Sequence, residues 1–141
     1  MDLRVLVVTD DLDLSSVVRT QAENLGCHIT IHATYDEAVA SIDWADAAIV
    51  DLAGGGLDHL GRLRAEAPDL RTLAIATDAP QEEAARATGA DLVIVEPFAI
   101  AEVAAAIRAL DPAAGGHVID LRTGEASATT EADDVPWFAT R

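Results

Sequence analysis

The sequence predicts an α/β fold in which a parallel sheet is covered by helices on both faces. Five short runs are apolar at nearly every position, as expected of strands that are buried on both sides. Segments with a helical spacing of apolar residues separate these runs, so that strand and helix alternate five times within residues 3–110. Such alternation is typical of βαβ units with right-handed crossovers.

Each predicted strand is followed by a turn or a polar cluster. The five runs are Leu3–Val8, His28–Ala33, Ala47–Val50, Thr72–Ala76 and Leu92–Val95. In an open parallel sheet, functional groups collect at the carboxyl ends of the strands. That rule directs attention to four places, which are Thr9–Asp11, Asp51–Ala53, Thr77–Asp78 and Glu96-Pro97.

Signals of helix termini support the helices between the strands. The helical segments are Leu14–Leu25, Tyr35–Ile42, Leu57–Ala67, Pro80–Thr88 and Ile100–Leu110. We expect Asp13 or Ser15 to cap the first helix and Thr34 to cap the second. The fourth helix has a proline in its first turn and Gly89 after its end, which is the usual asymmetry of helix termini.

Composition and charge exclude several classes of function. The 141 residues include 25 acids and nine bases, all of them arginine, so the net charge is −16. A field of this sign repels nucleic acid and anionic membranes, while it attracts basic protein surfaces and divalent cations. The sequence has no apolar run near ~18 residues and no secretory pattern, so we expect a cytoplasmic protein without a membrane partner. The single cysteine, Cys27, is interpreted as a core or near-surface residue rather than a nucleophile.

The composition changes after Leu110, which predicts a domain over residues 1–110 and an acidic extension over 111–141. Within the extension, Ala113–Gly116 has the composition of a hinge, and His117–Leu121 is a candidate for one further short strand. Val135–Arg141 carries two of the few aromatic residues of the chain. Two interpretations of this end stay open, a frayed terminus and an anchor that docks on the domain or on a partner.

Four segments at the ends of predicted strands share one pattern. They are Arg4–Leu14, Ala48–Asp58, Ile75–Asp78 and Gly89–Phe98. In this order they resemble the first strand and loop, the phosphoacceptor loop, the fourth strand and the Lys-Pro-Phe turn of bacterial response-regulator receiver domains (CheY-like). The resemblance covers residues 3–110 in one register. It implies a flavodoxin-like (βα)5 sheet of order 2-1-3-4-5 and a role in two-component or phosphorelay signalling.

The resemblance also implies a site for phosphoryl transfer. In the family, one aspartate accepts the phosphoryl group, acids and a backbone carbonyl hold Mg²⁺, and a lysine neutralises the developing charge. By register, Asp51 matches the acceptor and Thr77 matches the switch hydroxyl. Asp10, Asp11 and the backbone carbonyl of Ala53 match the Mg²⁺ ligands, together with Asp51. The plainer alternatives are a solvated strand end for Asp51 and an ordinary β-branched strand residue for Thr77.

Several positions depart from the family pattern. Thr9 stands at the first acid position, Glu96 stands where the lysine is expected, and Val93 replaces an aromatic switch residue. Gly54–Gly56 replaces a bulkier loop, which predicts a flexible acceptor loop. At ~5 Å and an effective dielectric constant of ~20, each pair of carboxylates costs about 3 kcal/mol. These changes predict a weak or lost Mg²⁺ site and hindered phosphorylation, while the Glu96-Pro97 bond is expected to be cis as in the family.

We therefore expect an atypical receiver, or pseudo-receiver, that acts through protein-protein interaction with a histidine kinase or an output protein. Two alternatives stay open, a working receiver phosphorylated at Asp51 and a small-ligand-binding regulatory module. Independent catalysis is not expected, because Ala53 stands where a second acid would lie and no general-acid histidine is evident. The histidines are too scattered in sequence to indicate zinc; they are His28, His32, His59 and His117.

The resemblance implies one further partner, a second copy of the chain. Receivers commonly pair through their fourth and fifth helices, so we expect a homodimer through the corresponding face. That face carries Glu82, Glu83, Arg86, Glu102 and Arg108. No DNA-binding output domain is expected after residue 110.

Overall fold

The computed structural model describes residues 2–111, 118–120 and 125–127. Within residues 2–111, five parallel strands form one sheet in the order β2-β1-β3-β4-β5. The strands are β1 (Arg4–Val8), β2 (His28–His32), β3 (Ala47–Asp51), β4 (Arg71–Ala76) and β5 (Leu92–Val95). The predicted fold class and strand order are confirmed.

One helix follows each strand. The helices are α1 (Leu12–Asn24), α2 (Tyr35–Ala38), α3 (Gly56–Glu66), α4 (Ala79–Thr88) and α5 (Ile100–Ala109). The second is shorter than predicted, because a 3-10 turn over Val39–Ser41 takes the place of its last residues. Thr34 caps α2, and Gly89 ends α4 in a left-handed conformation, as predicted.

The predicted cap of the first helix is wrong. The helix begins at Leu12, two residues earlier than the apolar spacing indicates, so the capping position falls on Asp11. The Asp11 Oδ1 atom accepts hydrogen bonds from the backbone N–H groups of Asp13 at 2.9 Å and Leu14 at 3.1 Å. These bonds satisfy two of the N–H groups that a helix start leaves without partners.

Burial on both faces of the sheet explains the continuous apolar runs. Val5 and Val7 pack in the layer that contains α1 and α5. Leu6 and Val8 pack in the opposite layer, with α2, α3 and α4. Cys27 is buried in the first of these layers, as its interpretation as a core residue predicts. Among the described helices, none is long and apolar enough to cross a membrane.

The described part of the extension is a short antiparallel pair. Its strands are β6 (Val118–Asp120) and β7 (Glu125–Ser127). Strand β6 falls within the candidate strand His117–Leu121. The proposed hinge at Ala113–Gly116 and the aromatic end at Val135–Arg141 lie outside the described residues, so the division of the chain at residue 110 stays a prediction.

Candidate functional site

Asp51 ends the central strand β3 and is almost completely buried, with 4% of its surface exposed. The hydroxyl of Thr9 donates a hydrogen bond of 2.7 Å to the Asp51 Oδ2 atom. The backbone N–H of Ala53 donates one of 3.1 Å to the Asp51 Oδ1 atom. Burying a carboxylate is costly unless its oxygens are hydrogen-bonded. Here two neutral donors, one for each oxygen, provide that compensation.

Thr9 is oriented by contacts of its own. It directly follows β1, which neighbours β3 in the sheet, and its backbone N–H donates to the carbonyl of His32 at 2.9 Å. Its Oγ1 atom accepts a hydrogen bond of 3.1 Å from the N–H of Asp11. Because the hydroxyl accepts from Asp11, its proton is available for Asp51. An acid at this position would repel the Asp51 carboxylate, whereas the Thr9 hydroxyl donates a hydrogen bond to it.

The predicted Mg²⁺ ligands are only partly brought together. Asp10 and Ala53 line one cavity with Asp51, whereas the carboxylate of Asp11 caps α1. In the part of the chain that the structure describes, no group of three or more histidine, cysteine or acidic side chains is placed to hold a metal ion. Mg²⁺ binds through carboxylates and waters. Of the predicted ligands, the cavity brings together two acids, Asp10 and Asp51, and the backbone of Ala53.

The cavity beside Asp51 has a volume of about 20 Å³, which is room for roughly one water molecule. Its lining residues are Val8, Thr9, Asp10, Ala33, Asp51, Ala53, Gly54 and His59. Sequence reasoning missed His59, which it considered only as one of four histidines too scattered to indicate zinc. The start of α3 directly after the glycine run could have indicated this position. His59 is the fourth residue of that helix, so it lies on nearly the same side as Gly56, the first.

The glycine run after Asp51 has a defined conformation. Gly54 and Gly55 have φ angles of +62° and +88°, a region that L-residues with side chains rarely adopt. A Cβ atom at Gly56 would overlap the backbone carbonyl of Asp51. These glycines permit a tight turn that sets the start of α3 against the end of β3.

His59 is held by an aromatic neighbour. Its ring stacks on Tyr35, with ring centroids 6.2 Å apart and an interplanar angle of 24°. The guanidinium carbon of Arg62 lies 4.4 Å from the centroid of the same tyrosine ring, within the range of cation–π interactions. Burial raises the pKa of Tyr35 to about 12, and the negative charge of Glu66 acts in the same direction.

The remaining predicted switch residues lie away from this cavity. Thr77 is exposed, and its N–H and hydroxyl both donate to the Gln81 side-chain oxygen, at 2.8 Å and 3.0 Å. Val93 is buried with the layer of α2, α3 and α4. Glu96 is exposed, its N–H donates to the carbonyl of Ala76, and the Glu96-Pro97 bond is cis, as expected. Neither Thr77 nor Glu96 is among the described residues that line the cavity.

Comparison with known sequences gives one informative relative. No protein-family model matches the chain. Over 135 residues the chain is 30% identical to the phosphate regulon transcriptional regulatory protein PhoB of Klebsiella pneumoniae, in a match that covers 86% of this chain and 59% of PhoB. The chain thus spans about three fifths of the length of this curated relative.

Solved structures give the same fold. A CheY-like receiver domain protein of Methanospirillum hungatei superposes with a TM-score of 0.69 at 22% identity, covering 77% of this chain and 93% of that one. The chemotaxis protein CheY4 of Vibrio cholerae gives 0.68 at 20% identity, covering 79% and 100%. NtrX of Brucella abortus gives 0.70 at 25% identity, covering 78% of this chain and 26% of NtrX.

A five-stranded parallel sheet of order 2-1-3-4-5 with a buried aspartate at the end of its central strand is the architecture expected of a receiver domain. The 30% identity to PhoB supports the family expected from the sequence, the response-regulator receiver domains, and the solved receivers share the fold of this chain.

Proposed function

We propose that this chain is a degenerate receiver domain that acts in signalling through protein-protein interaction. The observation that carries the proposal is the 2.7 Å hydrogen bond from Thr9 to Asp51. A phosphoacceptor has to offer a carboxylate oxygen to phosphorus, and the charge that develops needs a cation nearby. Here both oxygens of Asp51 accept hydrogen bonds, and Glu96 replaces the expected lysine.

The edge of the sheet around this site suits contact with a protein. Leu12 and Ile100 are 81% and 58% exposed, and they are the first residues of α1 and α5, two helices that pack on each other. Exposed apolar side chains among acids favour a partner surface that is basic and partly apolar. We propose a histidine kinase or an output protein as the partner, in the cytoplasm, with Mg²⁺ bound weakly or not at all.

Phosphorylation tests this proposal directly. We expect no stoichiometric mass gain when the protein is incubated with acetyl phosphate and Mg²⁺ and its intact mass is measured. The double variant Thr9→Asp/Glu96→Lys restores the acid and the lysine of the family, so it is expected to gain one phosphoryl group. Adding Asp51→Asn to that variant should remove the gain. A stoichiometric gain by the wild type, abolished by Asp51→Asn, would overturn the proposal.

A second candidate function is a receiver that is phosphorylated at Asp51. The observation that favours it is the cavity, which is lined by both Asp51 and His59. The same mass measurement separates the two candidates. A small-ligand module has less support at this place, because a cavity of about 20 Å³ admits a water-sized group but no metabolite.

Self-association through α4 and α5 is also proposed. Glu83, Arg86 and Arg108 are exposed on these helices. Glu82 is buried and accepts a hydrogen bond of 3.1 Å from Arg86, so it is not free to meet a partner. The exposed side chains include both signs of charge, which suits a two-fold contact in which each residue meets its complement on the other copy.

A further inference from the structure

His59 is the one residue with a basic side chain among the described residues that line the cavity at Asp51, and the proposed interaction role does not use it. Of the eight described residues that line the cavity, Asp10 and Asp51 are acids, and none is a lysine or an arginine. His59 is half-buried there. Any oxyanion attached to Asp51 would lie between carboxylates, so it would need a donor or a cation from this same set.

We propose that His59 binds the non-bridging oxygens of a phosphoryl group carried by Asp51, in place of the lysine that Glu96 has replaced. The inference rests on the second candidate function, in which Asp51 accepts a phosphoryl group. A ring N–H of histidine donates to phosphoryl oxygens, and such hydrogen bonds to charged acceptors are about twice as strong as neutral ones. Glu96 is exposed and does not line the cavity, so it does not compete for this place.

The position of His59 follows from the contacts of α3. Gly56 packs directly against the backbone carbonyl of Asp51, so the first turn of α3 is in contact with the end of β3. His59 lies one turn along, and its ring stacks on Tyr35, which is 1% exposed. Arg62 lies over the same tyrosine ring. A ring that is held in this way loses little freedom when it binds, which is the advantage of a preorganised donor.

The chemical step uses His59 as a donor only. With an acyl phosphate as the phosphodonor, an Asp51 carboxylate oxygen forms a bond to phosphorus, and the bond from phosphorus to the acyl oxygen breaks. The departing carboxylate takes that electron pair, and His59 keeps its proton.

Beryllofluoride, a mimic of the phosphoryl group, gives a test that needs no phosphodonor. Uptake is followed by ¹⁹F NMR in the wild type, in His59→Leu and in His28→Gln, with Mg²⁺ present throughout. Under the second candidate function, the wild type takes up beryllofluoride, and His59→Leu loses affinity by about tenfold or more. His28→Gln is the matched control, since His28 is exposed at the start of β2 and contacts Asp2, and it should behave as the wild type.

The ring ¹⁵N resonances of His59 in the wild type give a reading that does not depend on any variant folding. They are expected to shift when beryllofluoride binds. Uptake without such a shift, or equal uptake by the wild type and a folded His59→Leu, would overturn the inference and leave Asp51 as an acceptor. No uptake by the wild type at millimolar concentration would overturn the inference and the second candidate function together, but not the interaction role.

Discussion

The Thr9 hydroxyl stabilises the buried carboxylate of Asp51 by donating a hydrogen bond to it. Thr9→Val keeps the shape of the side chain but removes the donor to the Asp51 Oδ2 atom, so a buried carboxylate oxygen loses its partner. Such a loss costs about 1–3 kcal/mol or more when the orphaned group is charged. Urea unfolding should therefore show Thr9→Val less stable than the wild type by about this amount.

Two controls separate this hydrogen bond from packing. Thr9→Ser keeps the hydroxyl and should recover most of the stability. In the background Asp51→Asn, the cost of Thr9→Val should be smaller, because the group left without a donor is then neutral. If Thr9→Val costs the same in both backgrounds, the hydrogen bond does not stabilise the carboxylate as described.

The titration of Tyr35 can be followed without overlap from other tyrosines, because it is the only tyrosine of the chain. Burial raises its pKa to about 12, so its absorbance at about 295 nm should titrate near that value in the folded protein. In urea the midpoint should fall to about 10. The folded state holds the proton more tightly, so its stability should decrease as the pH rises from about 10 to about 12. A folded midpoint near 10 would contradict the burial of this hydroxyl.

At the scale of the element, the start of α3 is set by glycine rather than by a side-chain cap. The capping residue Gly55 makes no side-chain bond, and Gly56 packs against the Asp51 carbonyl. Gly56→Ala should therefore move the helix start or the carbonyl and lower the unfolding free energy by about 1–3 kcal/mol. Thermal unfolding and the Asp51 side-chain NMR resonances should both report the change.

Gly61→Ala is the matched control within the same helix. A Cβ atom there would have Thr88 Cγ2 as its nearest neighbour, at an ordinary contact distance of 3.9 Å. Since alanine is favoured over glycine in a helix by about 1 kcal/mol, this variant should be as stable as the wild type or more stable. Equal losses for the two alanine variants would show that helix geometry, and not the contact with Asp51, explains the cost at Gly56.

The sequence predicted the elements because their signals are local. Buried parallel strands need apolar residues at every position, and helix ends need particular residues, as at Thr34 and Gly89. The cap of α1 was mispredicted because Leu12 is a helical residue that remains 81% exposed, so an apolar spacing does not reveal it. At the start of α1 the apolar pattern is weak, and the hydrogen bonds of the Asp11 carboxylate to Asp13 and Leu14 set where the helix begins.

The site was predicted in position but not in its bonding. Asp51 could be placed because it ends an apolar strand, and Asp10 because strand ends share one edge. The bond from Thr9 to Asp51 depends on the pairing of β1 with β3, which no local pattern encodes. Asp11 caps α1 through one of its carboxylate oxygens, a local role that the apolar spacing did not reveal.

At the scale of the whole molecule, acids lie near the starts of the helices and arginines near the ends of three of them. Every helix follows a parallel strand, so its start lies at the edge of the sheet that contains Asp51. Acids stand in the first turns of all five helices, and arginines stand in the last turns of α3, α4 and α5. Each arrangement complements the helix dipole. Together they make the edge at the site acidic, which disfavours anionic phosphodonors and favours a basic partner.

The same charge controls whether two copies associate. With a net charge of −16, two chains repel each other at low ionic strength, and salt screens this repulsion over a Debye length of about 10 Å at 0.1 M. If α4 and α5 form the proposed contact, sedimentation velocity at micromolar concentration should show more dimer as salt rises. Arg86→Glu/Arg108→Glu, which leaves the exposed face with acids alone, should suppress the dimer. A monomer at every salt concentration, up to about 100 µM protein, would contradict pairing through this face.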